Sequence, residues 1–198
     1  MTQNNYKIAI TGGIGSGKST VSGIIESFGY PVISCDAVYN RLLREKTFSD
    51  SIAAEFGEVL DDRGLVDKSK LSSIVFNNKD KLKKLNEITH KAIIDEVMQE
   101  ASGKGIYFCE VPLLFEGSFE KLFDGIIVVL RDKQSRVNAV TKRDNLSQSD
   151  VLLRISNQVD YDNMNFEKYY VIHNTADIQS LREQTIKIIE KLIKIARF

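Results

Sequence analysis

The chain has no surplus of charge of either sign: Lys+Arg and Asp+Glu each number 27 among its 198 residues. Nucleic acid or an anionic membrane would select a positive surface, so the balance argues against either as the main partner. A local basic pocket for phosphates remains compatible with it. Cysteine is scarce, and Cys35 and Cys109 are too few for a disulfide framework. Both sit in apolar, strand-like runs and read as reduced, buried thiols acting as small hydrophobes. No apolar run approaches the ~20 residues that span a bilayer. The start, Met1-Thr2-Gln3-Asn4-Asn5-Tyr6, lacks a basic stretch followed by an apolar core, so no secretory signal is read there. The expectation is a cytoplasmic protein, monomeric or weakly homo-oligomeric. Its 42% hydrophobic and 27% charged residues are ordinary for a globular chain, and its length fits one domain with an inserted subdomain.

Short apolar runs alternate with longer segments of helical period. Ile8-Ala9-Ile10, Pro31-Val32-Ile33-Ser34, Ile106-Tyr107-Phe108-Cys109, Ile126–Leu130 and Tyr169-Tyr170-Val171-Ile172 are continuous rather than alternating. That is the pattern of strands covered on both faces. Val21–Phe28 and Ser135–Lys142 suit crossover helices. The last segment places Ile178, Leu181, Thr185, Ile188, Ile189, Leu192 and Ile193 on one helical face. An open α/β domain with a mostly parallel sheet follows. Two intervals break the alternation. Ala37–Lys104 is charged and helix-like, with Ser72-Ser73-Ile74-Val75-Phe76 and Leu82, Leu85, Ile88 at helical spacing. Arg131–Glu167 is polar and carries Arg136, Arg143 and Arg154 along two helices, with Ser147 as N-cap and Asp150 in a loose capping box between them.

Gly12-Gly13-Ile14-Gly15-Ser16-Gly17-Lys18-Ser19 satisfies G-x-x-x-x-G-K-[ST], and Thr20 follows. Glycines let the backbone curl around phosphates with its N–H groups inward. The next helix adds free N–H groups and the positive end of its dipole. Lys18 reaches the β- and γ-phosphates, and the Ser19 hydroxyl is placed to ligate Mg²⁺. An apolar strand ends at Thr11, and Val21, Ile24, Ile25 and Phe28 form a helical stripe after the loop. The match therefore has the strand–turn–helix setting that a phosphate loop requires.

Phosphate loops serve switches, nucleotide-sensing modules and enzymes. A GTPase switch needs a guanine-reading N-K-x-D element, and the nearest text is Asn78-Lys79-Asp80-Lys81, with Lys81 where the acid belongs. Asp61-Asp62-Arg63-Gly64 fits D-x-x-G, a pattern too short to carry weight. A small-molecule kinase fits the two helical intervals better, because such enzymes close over substrate to exclude water. Three acids end strands. Asp36 follows the second strand, where ligands bind in open parallel sheets, and reads either as the acid that orients an acceptor hydroxyl or as a helix N-cap. Glu110 reads either as an acid holding a water on Mg²⁺ or as an ordinary strand-end charge. Asp132 reads as the start of the polar arm.

Further segments follow in order: Leu85-Asn86-Glu87-Ile88-Thr89-His90, Val111-Pro112-Leu113-Leu114-Phe115-Glu116, Arg143-Asp144-Asn145-Leu146-Ser147, Arg154-Ile155-Ser156-Asn157-Gln158 and Val171-Ile172-His173-Asn174. Together with the phosphate loop, Asp36 and Ile74-Val75-Phe76, they resemble the dephospho-CoA kinase family, collinearly from Tyr6 into the final helix. The resemblance implies a P-loop NTPase-like, three-layer αβα fold with a five-stranded sheet. It implies a core of 1–36, 105–131 and 168–198, a helical CoA-binding insertion over about 37–104, and a lid over about 132–167. It also implies transfer of the ATP γ-phosphate to the ribose 3′-hydroxyl of dephospho-CoA, with Mg²⁺.

The family's catalytic acid falls on Asp36, with Lys18 and Arg143 beside it in catalysis. Gly13, Ile14, Gly15, Ser16, Gly17, Lys18, Ser19 and Thr20 fall on the nucleotide site, joined by Arg154 and by Asn174, which falls near the adenine. Asp36, His90, Leu114 and Glu116 fall on the substrate side, and Ser19 and Glu110 on the metal. Arg136 is not supported by the resemblance and reads as a solvated helix-face charge. The chain departs from the usual family pattern at Ser34, at Lys91, at Glu110 (Asp is usual), at His173 and at Thr175-Ala176. None of these removes a group needed for phosphoryl transfer.

Overall fold

The computed structural model describes residues 5–75, 78–175 and 177–196. The expectations placed on Met1–Asn4, on Phe76 and on Ala176 lie outside the described residues. The chain divides into two compact units, Met1–Ile33 with Ala101–Phe198, and Ser34–Glu100.

In the first unit, β1 (Asn5–Thr11) runs into the glycine loop and then α1 (Lys18–Ser27). β2 (Val32–Ser34) leads directly into α2 (Cys35–Leu42), which opens the second unit. There α3 (Lys46–Phe56), α4 (Lys68–Val75) and the long α5 (Lys79–Glu100) follow. The chain returns through β3 (Gly105–Glu110) and β4 (Gly125–Leu130), the helical arm of α6 (Lys133–Asp144) and α7 (Gln148–Ser156), β5 (Tyr170–His173) and α8 (Ile178–Ala196).

The five strands lie in the order β2-β3-β1-β4-β5. β1 pairs in parallel with β3 and β4, and β4 with β5. The registers set Ile10 opposite Glu110, Thr11 opposite Val128, and Leu130 opposite His173. The carboxyl ends of β1, β3, β4 and β5 therefore share one edge of the sheet, where ligands bind in such folds. The α/β expectation is met, with helices on both sides of the sheet.

The continuous apolar runs have the physical cause the sequence suggested. Ile8, Ile10, Phe108, Ile127, Val129 and Ile172 pack on Val21, Ile24 and Ile25 of α1 and on Leu181, Ile189 and Leu192 of α8. The alternate residues Ala9, Thr11, Cys109, Ile126 and Val128 are buried as well, so neither face of the sheet is open to water. α8 meets this core at Leu181, Thr185, Ile189 and Leu192, a helical stripe. Ile178, expected on the same face, is 63% exposed and begins the helix outside the core. Both cysteines are buried.

In the Ser34–Glu100 unit α2 and α4 pack on α5, and Val38, Leu42, Phe48, Ile52, Leu71, Val75 and Ile94 are among its buried residues. Arg41 of α2 pairs with Glu96, at 3.2 Å, and with Glu100 of α5. Its GTPase-like words turn out to be local structure. Asn78 Oδ1 accepts the Lys81 N–H at 3.0 Å, as a helix cap does. Asp61 Oδ1 accepts the N–H groups of Arg63 and Leu65, closing a turn.

Ile127 lies in a strand with neighbours on both sides and is fully buried. Ile127→Ala is expected to destabilise the protein by about 2–5 kcal/mol through lost burial and a residual cavity. Urea unfolding should show a lower midpoint at an unchanged slope.

Candidate active site

The phosphate loop leaves β1 at Thr11, and its curvature depends on three glycines at positive φ: Gly12 (150°), Gly15 (75°) and Gly17 (100°). Side chains at such angles strain the backbone. The loop is also crowded by its neighbours. A Cβ on Gly12 would strike Val129 O of β4, and one on Gly15 would lie 2.7 Å from Arg136 O and 2.8 Å from Val140 Cγ2. One on Gly17 would meet the Asn174 amide, and one on Gly13 would lie 2.5 Å from Arg136 Nη1. Gly17 serves as the N-cap of α1 without any side-chain cap, which leaves the first N–H groups of the helix directed at the loop.

Hydrogen bonds also tie the loop to residues distant in the chain. The Ile14 N–H donates to Gln158 Oε1 at 2.7 Å, and Asn174 Nδ2 donates to Ser16 O at 2.8 Å. Arg131 Nη1 approaches Gly15 O at 3.4 Å. Lys18 Nζ donates to Gly12 O at 2.8 Å and Gly13 O at 3.2 Å, so its ammonium lies at the start of the loop. The Ser16 hydroxyl is buried and has no hydrogen-bond partner among the described residues. A loop that presents an uncommitted buried hydroxyl, a lysine and a helix N-terminus suits the oxygens of a phosphate chain.

Glu110 is more than a strand-end charge. Its residue is 9% exposed, Oε1 accepts from Ser19 Oγ at 3.1 Å, and Oε2 accepts from Ser22 Oγ at 2.8 Å. The structure thus brings Ser19 and Glu110 together, and adds Ser22. Ser22 stands three residues after Ser19, on the same side of α1. That spacing was available in the sequence, but no motif demanded it.

Asp36 is the second residue of α2, and the N-cap of that helix is Ser34, whose Oγ accepts the Ala37 N–H at 3.4 Å. The capping alternative for Asp36 is therefore removed. Its side chain is exposed and makes no hydrogen bond or ion pair among the described residues. His90 is half-buried on α5. Leu114, expected on the substrate side, is fully buried. It packs as core among the described residues. Glu116 Oε1 accepts the Val159 N–H at 3.0 Å, while its Oε2 is buried without a partner among the described residues.

The helical arm differs from its reading in one important respect. Asp132 caps α6 through the Ser135 N–H at 2.8 Å, and Ser147 caps α7 through the Asp150 N–H at 3.2 Å. Asp144 binds Arg143 Nε at 2.7 Å and lies 3.8 Å from Arg154 Nη1, so one carboxylate gathers both guanidinium groups. The hydrogen bond from Arg143 holds the Asp144 carboxyl below its ordinary value. Arg143 and Arg154 are 63% and 53% exposed. Arg136, read as solvated, is 2% exposed and pairs with Asp162 at 2.8 Å. The tertiary fold overrides the helix-face reading, because α6 lays that side chain against the phosphate loop. Nearby, the Tyr161 hydroxyl lies 3.3 Å from Thr11 Oγ1, and burial pushes the Tyr161 phenol well above its usual value. Gln158, Tyr161 and Asp162 had no motif-level signal as loop partners beyond the position of Gln158 in the R-I-x-x-Q run.

Comparisons with known proteins place these features in context. The model of the family described as dephospho-CoA kinase matches residues 6–180. A protein of Listeria innocua named dephospho-CoA kinase is 33% identical over 193 residues, covering 94% of this chain and 96% of its own. The crystal structure of TT1252 from Thermus thermophilus matches with a TM-score of 0.80 at 33% identity, covering 94% of this chain and 96% of that one. The dephospho-CoA kinase structure from Campylobacter jejuni matches with a TM-score of 0.63 at 26% identity, covering 96% and 98%.

Ser22→Ala removes one of the two hydroxyls that hold the Glu110 carboxylate. Loss of a hydrogen bond to a charged, largely buried group is expected to cost about 1.5–3 kcal/mol of unfolding free energy. Denaturant titration checks this, and an unchanged midpoint would mean that the contact is not needed to hold Glu110.

Proposed function

The chain belongs to the dephospho-CoA kinase family, and from that premise we propose that it transfers the γ-phosphate of ATP to the ribose 3′-hydroxyl of dephospho-CoA, yielding coenzyme A and ADP. The observation that carries this reading is the span of the match, which takes in both the phosphate loop and the Arg143–Gln158 arm. The loop accounts for the nucleotide: Gly13–Thr20 wrap the phosphates, and Lys18, already at the loop's first carbonyls, is the charge that meets the β- and γ-oxygens.

The residues also fit Mg²⁺. That ion keeps several waters and takes one or two protein oxygens besides those of substrate phosphates. The Ser19 hydroxyl and the Glu110 carboxylate are hard oxygen donors already in contact, and among the described residues no three His, Cys, Asp or Glu side chains converge into a closed cage. When bound, the ion supplies charge neutralisation on the phosphate oxygens. Ser22 and Glu110 keep Ser19 oriented toward that position.

Phosphoryl transfer has a loose transition state, so the protein's task is to position the reactants and stabilise moving charge. Asp36 is the group assigned to the acceptor hydroxyl: its carboxylate, uncommitted among the described residues, accepts that hydroxyl's hydrogen bond and then its proton. Arg143 and Arg154, gathered by Asp144, are planar cations suited to a phosphate or to the face of an adenine ring. No helix among the described residues is long and apolar enough to cross a membrane, and a cytoplasmic location is part of the proposal.

Coupled ADP release should be strong with dephospho-CoA, and weak with shikimate, gluconate or nucleoside monophosphates. It should require Mg²⁺. A preference for any of the other acceptors would sink the assignment. Asp36→Asn is expected to lower kcat by on the order of 10²–10⁴ while ATP affinity changes little. Near-normal turnover would remove Asp36 from the acceptor hydroxyl. Lys18→Ala should lower kcat/KM for ATP, and an unchanged value would contradict the assigned contact with the β- and γ-oxygens.

A further inference from the structure

Of the arginines on α6 and α7, Arg136 lies against the phosphate loop, and most of its hydrogen-bonding capacity is uncommitted. A guanidinium carries five N–H donors. Nη2 spends its two on Asp162, at 2.9 Å from Oδ1 and 2.8 Å from Oδ2. Nε is buried with no partner among the described residues, and Nη1 likewise makes no hydrogen bond to them. The side chain is 2% exposed. Burying a cation with unpaired donors is strongly unfavourable unless a partner completes it.

The position of Nη1 indicates what that partner is. It lies 2.5 Å from where a Gly13 Cβ would sit, so no side chain separates it from the loop backbone. Lys18 Nζ binds the carbonyls of Gly12 and Gly13, at the same end of the loop. In a phosphate loop this lysine reaches the β- and γ-phosphates. Two cations therefore converge on one stretch of the loop, the end nearer β1. Such convergence suits the terminal phosphoryl group, whose three oxygens carry the charge that moves during transfer.

We propose that Arg136 is a further catalytic residue, whose Nη1 donates to the γ-phosphate of the bound nucleotide while Asp162 holds the other side of the guanidinium. Arg143 and Arg154, tied to Asp144 at an exposed site, do not duplicate this position. The proposal rests on the reading of the loop as the site of a nucleoside triphosphate.

A contact with the terminal phosphate distinguishes ATP from ADP, whereas a structural strut treats both alike. Calorimetric titration of the full chain with ADP and with a non-hydrolysable ATP analogue, for wild type, Arg136→Gln and Arg136→Lys, separates the two. Arg136→Gln should lose about tenfold to a hundredfold in affinity for the ATP analogue, the scale of a charge-assisted hydrogen bond, and keep its affinity for ADP within about threefold. Arg136→Lys keeps the charge without the planar fork and should fall between. Equal losses for both nucleotides, or no loss for either, overturn the proposal. If Arg136→Gln does not fold, Arg136→Lys supplies the same comparison. Wild-type ADP release with dephospho-CoA is measured in parallel. Its absence would count against the kinase reading, while the difference between the two nucleotides would still decide the Arg136 contact.

Discussion

A Cβ cannot be added at any of the four glycines between Thr11 and Lys18 without displacing something already there. β4 closes on Gly12, α6 on Gly13 and Gly15, and the residue after β5 on Gly17. The glycines permit the curl, but these neighbours impose it. Open-chain glycine samples many backbone angles, so a glycine-rich loop by itself is a costly element to order. Here the hydrogen bonds of Ile14 to Gln158 and of Asn174 to Ser16, with the packing of Val140 and Tyr161, select one geometry. The nucleotide-facing backbone is thus a product of the parallel sheet, whose register sets the strand ends beside one another.

Charge is arranged on the same principle. Several ionised groups are already held by a second group that orients them: Lys18 by loop carbonyls, Glu110 by two hydroxyls, Arg136 by Asp162, and Arg143 by Asp144. Groups oriented before substrate arrives need not reorganise during the reaction, which is the main source of electrostatic catalysis. Asp36 differs, because its carboxylate has no hydrogen-bond or ion-pair partner among the described residues. It sits in a helix whose start is satisfied by Ser34 instead. Ser34 therefore has a local role, capping α2, and Asp36 is not needed for the cap.

Short patterns were dependable in this chain only where a three-dimensional requirement backed them. The eight-position loop motif lay between a strand and a helix and kept its meaning. N-K-x-D-like and D-x-x-G-like words became a cap and a turn, since Asn and Asp bond readily to nearby backbone N–H groups. Leu114 stood in a specific family run and proved to be core, because apolar residues at such sites are retained for packing as readily as for contact. Arg136 went the other way. Its polar helix suggested solvent, yet the arm folds onto the loop and buries it.

The sequence by itself determined the sheet-and-helix alternation, the phosphate loop and the family, because each rests on residues close together in the chain or on collinear segments. It also located the cap at Ser147, which depends on a few neighbouring residues. Only the tertiary structure decided which polar groups meet. Ser22 joins Glu110 across 88 positions, Gln158 joins Ile14 across 144, and Asn174 joins Ser16 across 158. Such contacts depend on strand order and on the angle at which α6 crosses the loop. No local propensity encodes either, so the partners of the phosphate loop emerge only once the chain has closed around it.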